Sequence, residues 1–303
     1  MSWAAQGRDG LDDLLARAAE VRSVASGFQF TEGPIWHPRD GYLLFSDIPA
    51  AQRLRWNGQV CEVALEPTAK ANGMTFDADL NLLVCEHATS TLSRFSNGVR
   101  QVVASHFEGR ELNSPNDVIV GSDGAIWFTD PTYGRMEGFG VAREAELDFQ
   151  GVYRIGPNGG PLELVVERGL FSQPNGLCFS PDETRLYIND TDQANIRVYD
   201  VEGAALVNMR VFASGITDPQ RPGAPDGMKC DADGNIWCTG PGGLWVYAPD
   251  GTLIGEIAVP EFAANLHWGG KDWRKLFITA STSLYALDLN VGPHAEAFMT
   301  GFI

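Results

Sequence analysis

The chain has 303 residues, 44% of them hydrophobic, enough for a substantial core in one large domain or two average ones. Asp and Glu number 39 against 22 Lys and Arg, and the formal charge of -17 disfavours nucleic acid and anionic membrane surfaces as partners. No apolar run approaches the ~20 residues of a membrane span, and the acidic N-terminus lacks a secretory pattern. The five scattered cysteines form no Cys-x-x-Cys pair, so we expect reduced thiols in a cytoplasmic protein.

A helical pattern of apolar residues occurs near the N-terminus, over residues 9–20. Four apolar residues fall on one helical face: Leu11, Leu14, Leu15 and Ala18. Asp9 is placed to cap this helix, so residues 1–20 are predicted to form a short helical extension. The next segment, 21–30, reads as a strand, and we expect it to pair with the last repeat and close the fold.

The rest of the chain repeats one pattern six times. Each copy has a polar first residue, usually a small second one, a short apolar strand, a turn rich in Asp, Gly and Pro, and a second strand. The copies begin at Glu32, Asn72, Asn116, Asn175, Asp226 and Asn265. Many short strands are compatible with a sandwich, a barrel or a propeller, but a repeat of about 40–50 residues with three or four strands indicates a propeller. We therefore predict an all-β, six-bladed β-propeller as a single domain over residues 21–303.

The six starting residues form a candidate metal site. The first strand of a blade is innermost, so these residues should meet at one mouth of the central channel. All are carboxylates or carboxamides, and Glu32 and Asp226 carry negative charge. Converging oxygen atoms with two charges suit a hard divalent cation. Asn-Gly and Asp-Gly pairs are also ordinary turn devices, so any single Asn is equally compatible with a structural role.

The ends of the second strands should reach the same mouth. Four of the six end positions are acidic: Asp47, Glu86, Asp130 and Asp190. These acids are compatible with orienting metal ligands, or with accepting hydrogen bonds from loop amides, which we favour for Asp47 and Asp130. His87 and Tyr133 follow on mouth loops, where they are placed to bind a substrate, although single residues of these types on loops are often incidental. The longest interval leaves room for an inserted loop, residues 135–149, over the mouth.

Several familiar catalytic motifs are missing from the sequence. It contains no Gly-x-Ser-x-Gly elbow for a serine nucleophile, no Walker loop and no His-Glu-x-x-His zinc motif. His37 and His267 lie within repeats but match no zinc spacing. The oxygen-rich ring therefore remains the main candidate for chemistry.

Four separated motifs resemble the SMP-30/gluconolactonase/LRE-like family. They are TEGPIW at Glu32, SPNDV at Asn116, QPNGLCFSPDE at Asn175 and PDGMKCDADGNIW at Asp226. WFTDPTYG at Tyr133 and LLVCEH at His87 resemble its bacterial gluconolactonase-like branch. The resemblance covers the chain from about Phe28 to the C-terminus in the same motif order. It implies a six-bladed propeller that binds one divalent metal ion and hydrolyses sugar lactones.

The resemblance also implies roles for individual residues. Glu32, Asn175 and Asp226 match the metal ligands, and Asp226, with Glu32 beside it, matches the catalytic carboxylate that acts as general base. Asn116 matches a residue that binds the metal or the substrate. Some relatives carry a substrate-binding Arg two residues before this Asn. Ser114 takes that place here, so we list it with the substrate-binding candidates and do not expect animal-type sugar recognition.

A mechanism follows from these roles. The ion would hold the lactone carbonyl, and a water activated by the ion or by Asp226 would attack it to give an aldonic acid. Calcium is the expected ion, although zinc, magnesium, manganese and iron also accept oxygen ligands. Three alternatives stay open: a propeller that only binds other proteins, a calcium-binding protein without turnover, and a related propeller hydrolase acting on other lactones or esters.

Overall fold

The computed structural model describes residues 6–7 and 10–303, and these form a six-bladed β-propeller, as predicted. Each blade is an antiparallel sheet in which consecutive strands are neighbours. The innermost strands of successive blades contact one another in a closed ring around a central channel. Neighbouring blades cover both faces of these strands, so the apolar strands of the repeat are buried on either side.

The first three blades contain strands β3 to β16. Blade 1 comprises β3 (Thr31–His37), β4 (Tyr42–Asp47), β5 (Gln52–Trp56) and β6 (Cys61–Leu65). Blade 2 comprises β7 (Ala71–Phe76), β8 (Leu82–Glu86), β9 (Thr91–Ser96) and β10 (Val99–Ala104), followed by the small hairpin β11 (His106–Phe107) and β12 (Arg110–Glu111). Blade 3 comprises β13 (Val118–Val120), β14 (Ile126–Asp130), β15 (Gly151–Ile155) and β16 (Glu163–Leu164).

The last three blades complete the ring and include the N-terminal strands. Blade 4 comprises β17 (Pro174–Phe179), β18 (Arg185–Asp190), β19 (Asn195–Glu202) and β20 (Ala205–Ser214). Blade 5 comprises β21 (Met228–Cys230), β22 (Ile236–Gly240), β23 (Gly243–Tyr247) and β24 (Leu253–Ala258), with β1 (Gln6–Gly7) at its edge. Blade 6 comprises β25 (Ala263–Gly269), β26 (Lys275–Ala280) and β27 (Ser283–Asp288), with β2 (Arg22–Ser26) outermost.

The N-terminal strand β2 closes the propeller, as the sequence predicts. It pairs antiparallel with β27, from Arg22 opposite Ala286 to Ser26 opposite Ser283. The last blade thus takes its outer strand from the start of the chain. This pairing joins the two ends of the ring by backbone hydrogen bonds, which hold the blades in a closed circle.

The predicted helix over residues 9–20 is wrong in extent. Only α1 (Leu11–Leu14) is helical, Leu15 is extended and pairs with Leu289, and Ala18 has a positive φ of 59°. Tertiary pairing with the end of blade 6 overrides the helical periodicity. The proposed Asp9 cap lies outside the described residues. Leu11 and Leu14 are nevertheless buried in the core, so the apolar face of the prediction is real.

The C-terminal segment, residues 290–303, crosses the channel at the end opposite the mouth. Pro293 pairs with Asp231 below blade 5, and a short 3₁₀ helix follows at Ala297–Met299. The ring of Phe298 lies 5.7 Å from that of Phe76 in blade 2. The segment therefore spans from one side of the ring to the other and covers the lower end of the channel.

Two further sequence expectations bear on the whole molecule. All five cysteines are free, and four of them are buried. A second 3₁₀ helix, Tyr133–Arg135, leads into the blade 3 insertion. Among the described residues, no helix has the length and apolar character needed to cross a bilayer.

Candidate active site

The six starting residues of the repeats meet at the upper mouth of the channel, as predicted. Their side chains form a chain of hydrogen bonds from blade to blade. Asn72 Nδ2 donates to Asn116 Oδ1 over 2.7 Å, and Asn116 Nδ2 donates to Asn175 Oδ1 over 2.5 Å. On the other side, Asn265 Nδ2 donates to Glu32 Oε2 over 2.9 Å. The carboxamides thus orient the oxygen atoms of their neighbours toward the channel.

Irregularities in the innermost strands direct these side chains to the channel. The pairing of β3 with β4 shifts register directly after Glu32, and in β7 and β17 the same irregularity spans the starting residue. A bulge of this kind turns a side chain out of the normal alternation. The residue that follows is glycine in most repeats because a Cβ atom on Gly73 would lie 2.4 Å from the carbonyl oxygen of Asn116. The Asn-Gly pair is therefore a packing device between blades rather than a turn.

Three aspartates at the ends of the second strands fix the approach to the ring. Asp47 accepts hydrogen bonds from two backbone N–H groups that precede Glu32 by two and three residues. Asp130 and Asp190 repeat this arrangement before Asn116 and Asn175. Asp47 and Asp130 thus accept hydrogen bonds from loop amides, which is the role that we favoured for them. Asp190 makes the same kind of contact. The fourth acid, Glu86, instead pairs with Arg100.

Glu32 and Asp226 form a repulsive pair of carboxylates. Burial raises the pKa of Glu32 to about 7, with a contribution from Asp117. Burial and the charge of Glu32 raise the pKa of Asp226 well above its ordinary value, although Asn175 donates a hydrogen bond to it. The two carboxyl groups lie within hydrogen-bonding reach of each other. Without a cation, they are stable together only when at least one is protonated.

The donor set of this site is mixed. No cluster of three or more His, Cys, Asp or Glu side chains arranged to hold a metal occurs within residues 6–7 and 10–303. The candidate ligands are instead two carboxylates, Glu32 and Asp226, and the carboxamide of Asn175. Such an all-oxygen set fits a hard divalent cation, whose charge would offset the repulsion between the carboxylates.

A cavity of about 270 Å³ opens above the ring and has two different walls. One wall is polar and contains ring residues together with His87, Tyr133 and Thr191. The other is apolar and consists of Phe30, Ile48, Met136, Phe139 and Phe262. The Phe30 ring lies 5.1 Å from Phe139 and 6.2 Å from Phe262. The volume accommodates one small ring in contact with both hydrogen-bonding and apolar side chains.

His87 is buried at the base of the polar wall. Its Nδ1 lies 3.0 Å from the carbonyl oxygen of Phe139, so this nitrogen carries the hydrogen and donates. Burial lowers the pKa of His87 to about 4, which leaves the ring neutral at pH 7. Nε2 is therefore an acceptor, 3.2 Å from Asn72 Nδ2. Its single lone pair thus already faces an amide donor, and a substrate hydroxyl that donates to this nitrogen would replace Asn72.

The blade 3 insertion, residues 135–149, supplies part of the cavity. Met136 and Phe139 line it, and Tyr133 enters from the preceding 3₁₀ helix. The Tyr133 hydroxyl is buried and has no hydrogen-bond partner among the described residues. The insertion is anchored by Arg135, whose side chain donates to backbone carbonyls before blade 3. It therefore forms a wall at the predicted position over the mouth.

Ser114 does not line the cavity. Its hydroxyl donates to the carbonyl of Pro131 over 2.6 Å and accepts from the Gly134 N–H over 2.9 Å. The side chain is fully buried, so both of its hydrogen-bonding roles hold the neighbouring loop. Ser114 thus positions the loop that carries Tyr133, and its predicted direct contact with substrate does not follow from this placement.

Sequence reasoning missed three polar residues of the channel. Thr191 accepts a hydrogen bond from Asn175 Nδ2 over 3.1 Å and donates to the Pro225 carbonyl. Asp117 occupies the place of the repeat's glycine and is buried. Lys229 is buried in β21. Two of these residues had a signal in the sequence. Asp117 stands where most repeats have glycine, and Lys229 is a lysine in an apolar strand.

Comparisons with known proteins agree with this architecture. Residues 30–282 match the model of the SMP-30/gluconolactonase/LRE-like region. A gluconolactonase of Zymomonas mobilis is 35% identical over 89% of this chain and 82% of its own length. A pentonolactonase of Haloferax volcanii is 29% identical, with 86% and 84% covered. The structure of a gluconolactonase from Xanthomonas campestris superposes with a TM-score of 0.85 at 34% identity, covering 95% of this chain and 98% of that one. The chain belongs to the SMP-30/gluconolactonase/LRE-like family.

Proposed function

We propose that this protein is a metal-dependent lactonase that opens sugar lactones to aldonic acids. The observation that carries the proposal is the convergence of Glu32 and Asp226 with oriented carboxamides at the base of a cavity sized for one ring. The gluconolactonase of Zymomonas mobilis and the pentonolactonase of Haloferax volcanii, both related over most of the chain, support a sugar lactone as substrate.

Glu32, Asn175 and Asp226 are the proposed metal ligands. Asn116 donates a hydrogen bond to Asn175 Oδ1, so it lies one bond from the ligand set and fits the orienting role. A bound divalent cation would polarise the lactone carbonyl and stabilise the negative charge that develops on its oxygen. Calcium is the ion that we expect, because every ligand is a hard oxygen atom.

The side chains around the ring account for the remaining steps. Asp226 is partly exposed to the cavity and takes the proton of the attacking water as general base. Neutral His87 accepts a hydrogen bond from one sugar hydroxyl in place of Asn72, and the hydroxyl of Tyr133 donates to another. Attack by water breaks the ring ester bond, the ring oxygen becomes a hydroxyl, and the carbonyl carbon becomes a carboxylate. The reaction needs no covalent intermediate, which agrees with a sequence that lacks a nucleophile elbow.

A lactone panel with a pH-indicator readout tests the proposal. Protein stripped with a chelator and reloaded with calcium, magnesium, manganese, zinc or iron is assayed on five- and six-membered sugar lactones. We expect hydrolysis above the spontaneous buffer rate only after reloading. Retention of full activity by the stripped protein would refute metal dependence. Tight metal binding with no turnover on any lactone would favour the calcium-binding alternative.

A further inference from the structure

A second cavity, of about 290 Å³, lies between blades 1 and 2, and we call it the inter-blade cavity. Its walls include Tyr42, Leu44 and Arg53 of blade 1 and Phe76, Leu82 and Phe95 of blade 2. Phe76 is the last residue of β7, the strand that begins at the mouth of the channel, so this cavity lies toward the other end of the blades. Among the described residues, it shares no lining side chain with the cavity at the mouth.

Arg53 in this cavity is buried without a carboxylate within salt-bridge distance among the residues that the structure describes. It is 7% exposed, and its Nε and Nη2 atoms have no hydrogen-bond acceptor in the described part of the chain. The other buried arginines in that part each have a carboxylate, at 3.0, 3.3 and 3.8 Å for Arg135, Arg154 and Arg197. Burying a guanidinium without such a partner is costly. Arg53 therefore lacks an acceptor that a ligand could supply.

The protein groups around Arg53 leave its donors unused. The ring centre of Phe95 lies 4.7 Å from Arg53 Cζ, and its face attracts the positive charge but offers no oxygen acceptor to the N–H groups. The carboxylate of Glu86 also attracts Arg53. Its oxygen atoms, however, already accept hydrogen bonds from Arg100 and Ser93. The charge is thus partly balanced while the hydrogen-bonding capacity of the guanidinium is not.

The charge of the inter-blade cavity suits a ligand with one negative charge. Arg55 also lines it, but its Nε donates to Glu62 over 2.7 Å, so this pair adds no net charge. One unpaired guanidinium remains, and its planar fork matches the two oxygen atoms of a carboxylate. A phosphate dianion would leave one negative charge uncompensated among apolar side chains.

The aromatic side chains of the inter-blade cavity suit a flat apolar body. Tyr42, Phe76 and Phe95 line it together with leucines of both blades. Aromatic rings stack favourably, offset or edge to face, on a planar ring of this kind. A volume of about 290 Å³ is at the lower end of the range for small-molecule sites, which indicates a compact ligand.

We propose that the inter-blade cavity binds a small aromatic carboxylate whose anion pairs with Arg53. The bound acid supplies the carboxylate that the other buried arginines find within the chain, and its ring packs against the aromatic side chains of blades 1 and 2. This site is separate from the proposed lactonase site, so its occupancy does not depend on that function.

Titration of the full chain with 4-fluorobenzoate, followed by ¹⁹F NMR, tests the proposal. A chelator is present throughout, because a carboxylate would also bind a cation at the mouth. We expect one-to-one binding of 4-fluorobenzoate and no binding of the neutral 4-fluorobenzamide at the same concentrations. Arg53→Gln should weaken binding at least about tenfold, since it removes a charged hydrogen-bond donor. Arg210→Gln is the matched control, because it removes the same charge from an exposed ion pair with Asp200 in blade 4, and it should bind like the wild type.

A second pair of variants keeps the test decisive if Arg53→Gln does not fold. Ala64 is exposed and lines the same cavity, so a longer side chain is tolerated there. Ala64→Glu places a carboxylate where it competes with the ligand for Arg53 and should weaken binding. Ala64→Gln has the same shape without the charge and should bind like the wild type.

Failure of the wild type to bind 4-fluorobenzoate would overturn the proposal, as would equal binding of 4-fluorobenzamide. Wild-type affinity in Arg53→Gln would show that the acid binds elsewhere and would overturn it too, as would equal affinities of Ala64→Glu and Ala64→Gln. Displacement of 4-fluorobenzoate by a lower concentration of inorganic phosphate would overturn the choice of a carboxylate. None of these measurements involves a metal or a lactone, so their failure is distinct from failure of the proposed lactonase activity.

Discussion

Asp226→Asn should have opposite effects on the metal-free and the metal-bound protein. Asparagine has the same shape as aspartate but carries no charge, so the substitution removes the repulsion of Asp226 with Glu32. Both carboxyl groups have raised pKa values in the folded protein, about 7 for Glu32. Their contribution to stability is therefore fully present below their unfolded pKa values and is lost as the pH rises through the folded ones. The wild type without metal should therefore lose stability as the pH rises from about 4, the ordinary carboxyl range, through about 7, the pKa of Glu32.

The magnitude follows from the repulsion between two charges. Unit charges about 4 Å apart repel by about 4 kcal/mol at an effective dielectric constant of about 20. We expect Asp226→Asn to raise the free energy of unfolding of the metal-free protein by about 2–4 kcal/mol at pH 9. At pH 4, near the ordinary pKa of an aspartate, the change should be less than about 1 kcal/mol, because Asp226 then releases only a fraction of a proton on unfolding. With an ion at about 1,000 times its Kd, which stabilises the wild type by about 4.1 kcal/mol, the wild type should become at least as stable as the variant.

Urea denaturation at both pH values, with chelator or with calcium, measures these changes. Asn175→Asp is the matched control because it adds a carboxylate to the same site. It should lower the metal-free stability at pH 9 and strengthen metal binding. A change in stability of the same size at pH 4 and pH 9 would refute the repulsion between Asp226 and Glu32. Full calcium stabilisation of Asp226→Asn would refute the role of Asp226 as a ligand.

Three further substitutions test separate parts of the molecule. Asn116→Ala breaks the hydrogen bonds to Asn72 and Asn175. We expect kcat/KM to fall by about 10–100-fold while calcium titration still shows binding. Complete loss of calcium binding would contradict an orienting role for Asn116. Tyr133→Phe deletes one free hydroxyl and should reduce kcat/KM by an amount equivalent to about 0.5–1.5 kcal/mol without changing the urea midpoint. A shifted midpoint would show that the hydroxyl is structural. Phe298→Ala removes a buried ring from the C-terminal segment. It should lower the free energy of unfolding by about 3–5 kcal/mol with little change in the kcat of the folded fraction. An unchanged urea midpoint would contradict the packing of Phe298 in the core.

The repeating parts of the fold were predictable because each repeat has the same local sequence pattern. A polar first residue, two apolar strands and a turn predict one blade, and six copies predict the ring. The starting residues, from Glu32 to Asn265, meet at one mouth because every blade begins with the same strand. The sequence also placed His87 and Tyr133 correctly in the cavity, since both follow a strand end at that mouth.

The remaining features depend on contacts that one segment cannot reveal. The helix predicted over residues 9–20 gives way after Leu14 because Leu15 pairs with Leu289, nearly the whole chain away. Ser114 lies in a matching motif position, yet its hydroxyl is used by Pro131 and Gly134. The apolar wall combines residues from blade entries and from the insertion, which come together only after the ring closes.

The C-terminal segment below the channel affects how substrate and product enter and leave the cavity. Among the described residues, the lower end is covered by residues 290–303, so substrate and product exchange through the upper mouth. In the proposed reaction, a neutral lactone enters and an aldonate anion leaves, and both pass the rim of Phe30, Phe139 and Phe262. Substrate cannot bind until product has left by the same route. Accumulated product should therefore inhibit competitively, and product release completes each turnover.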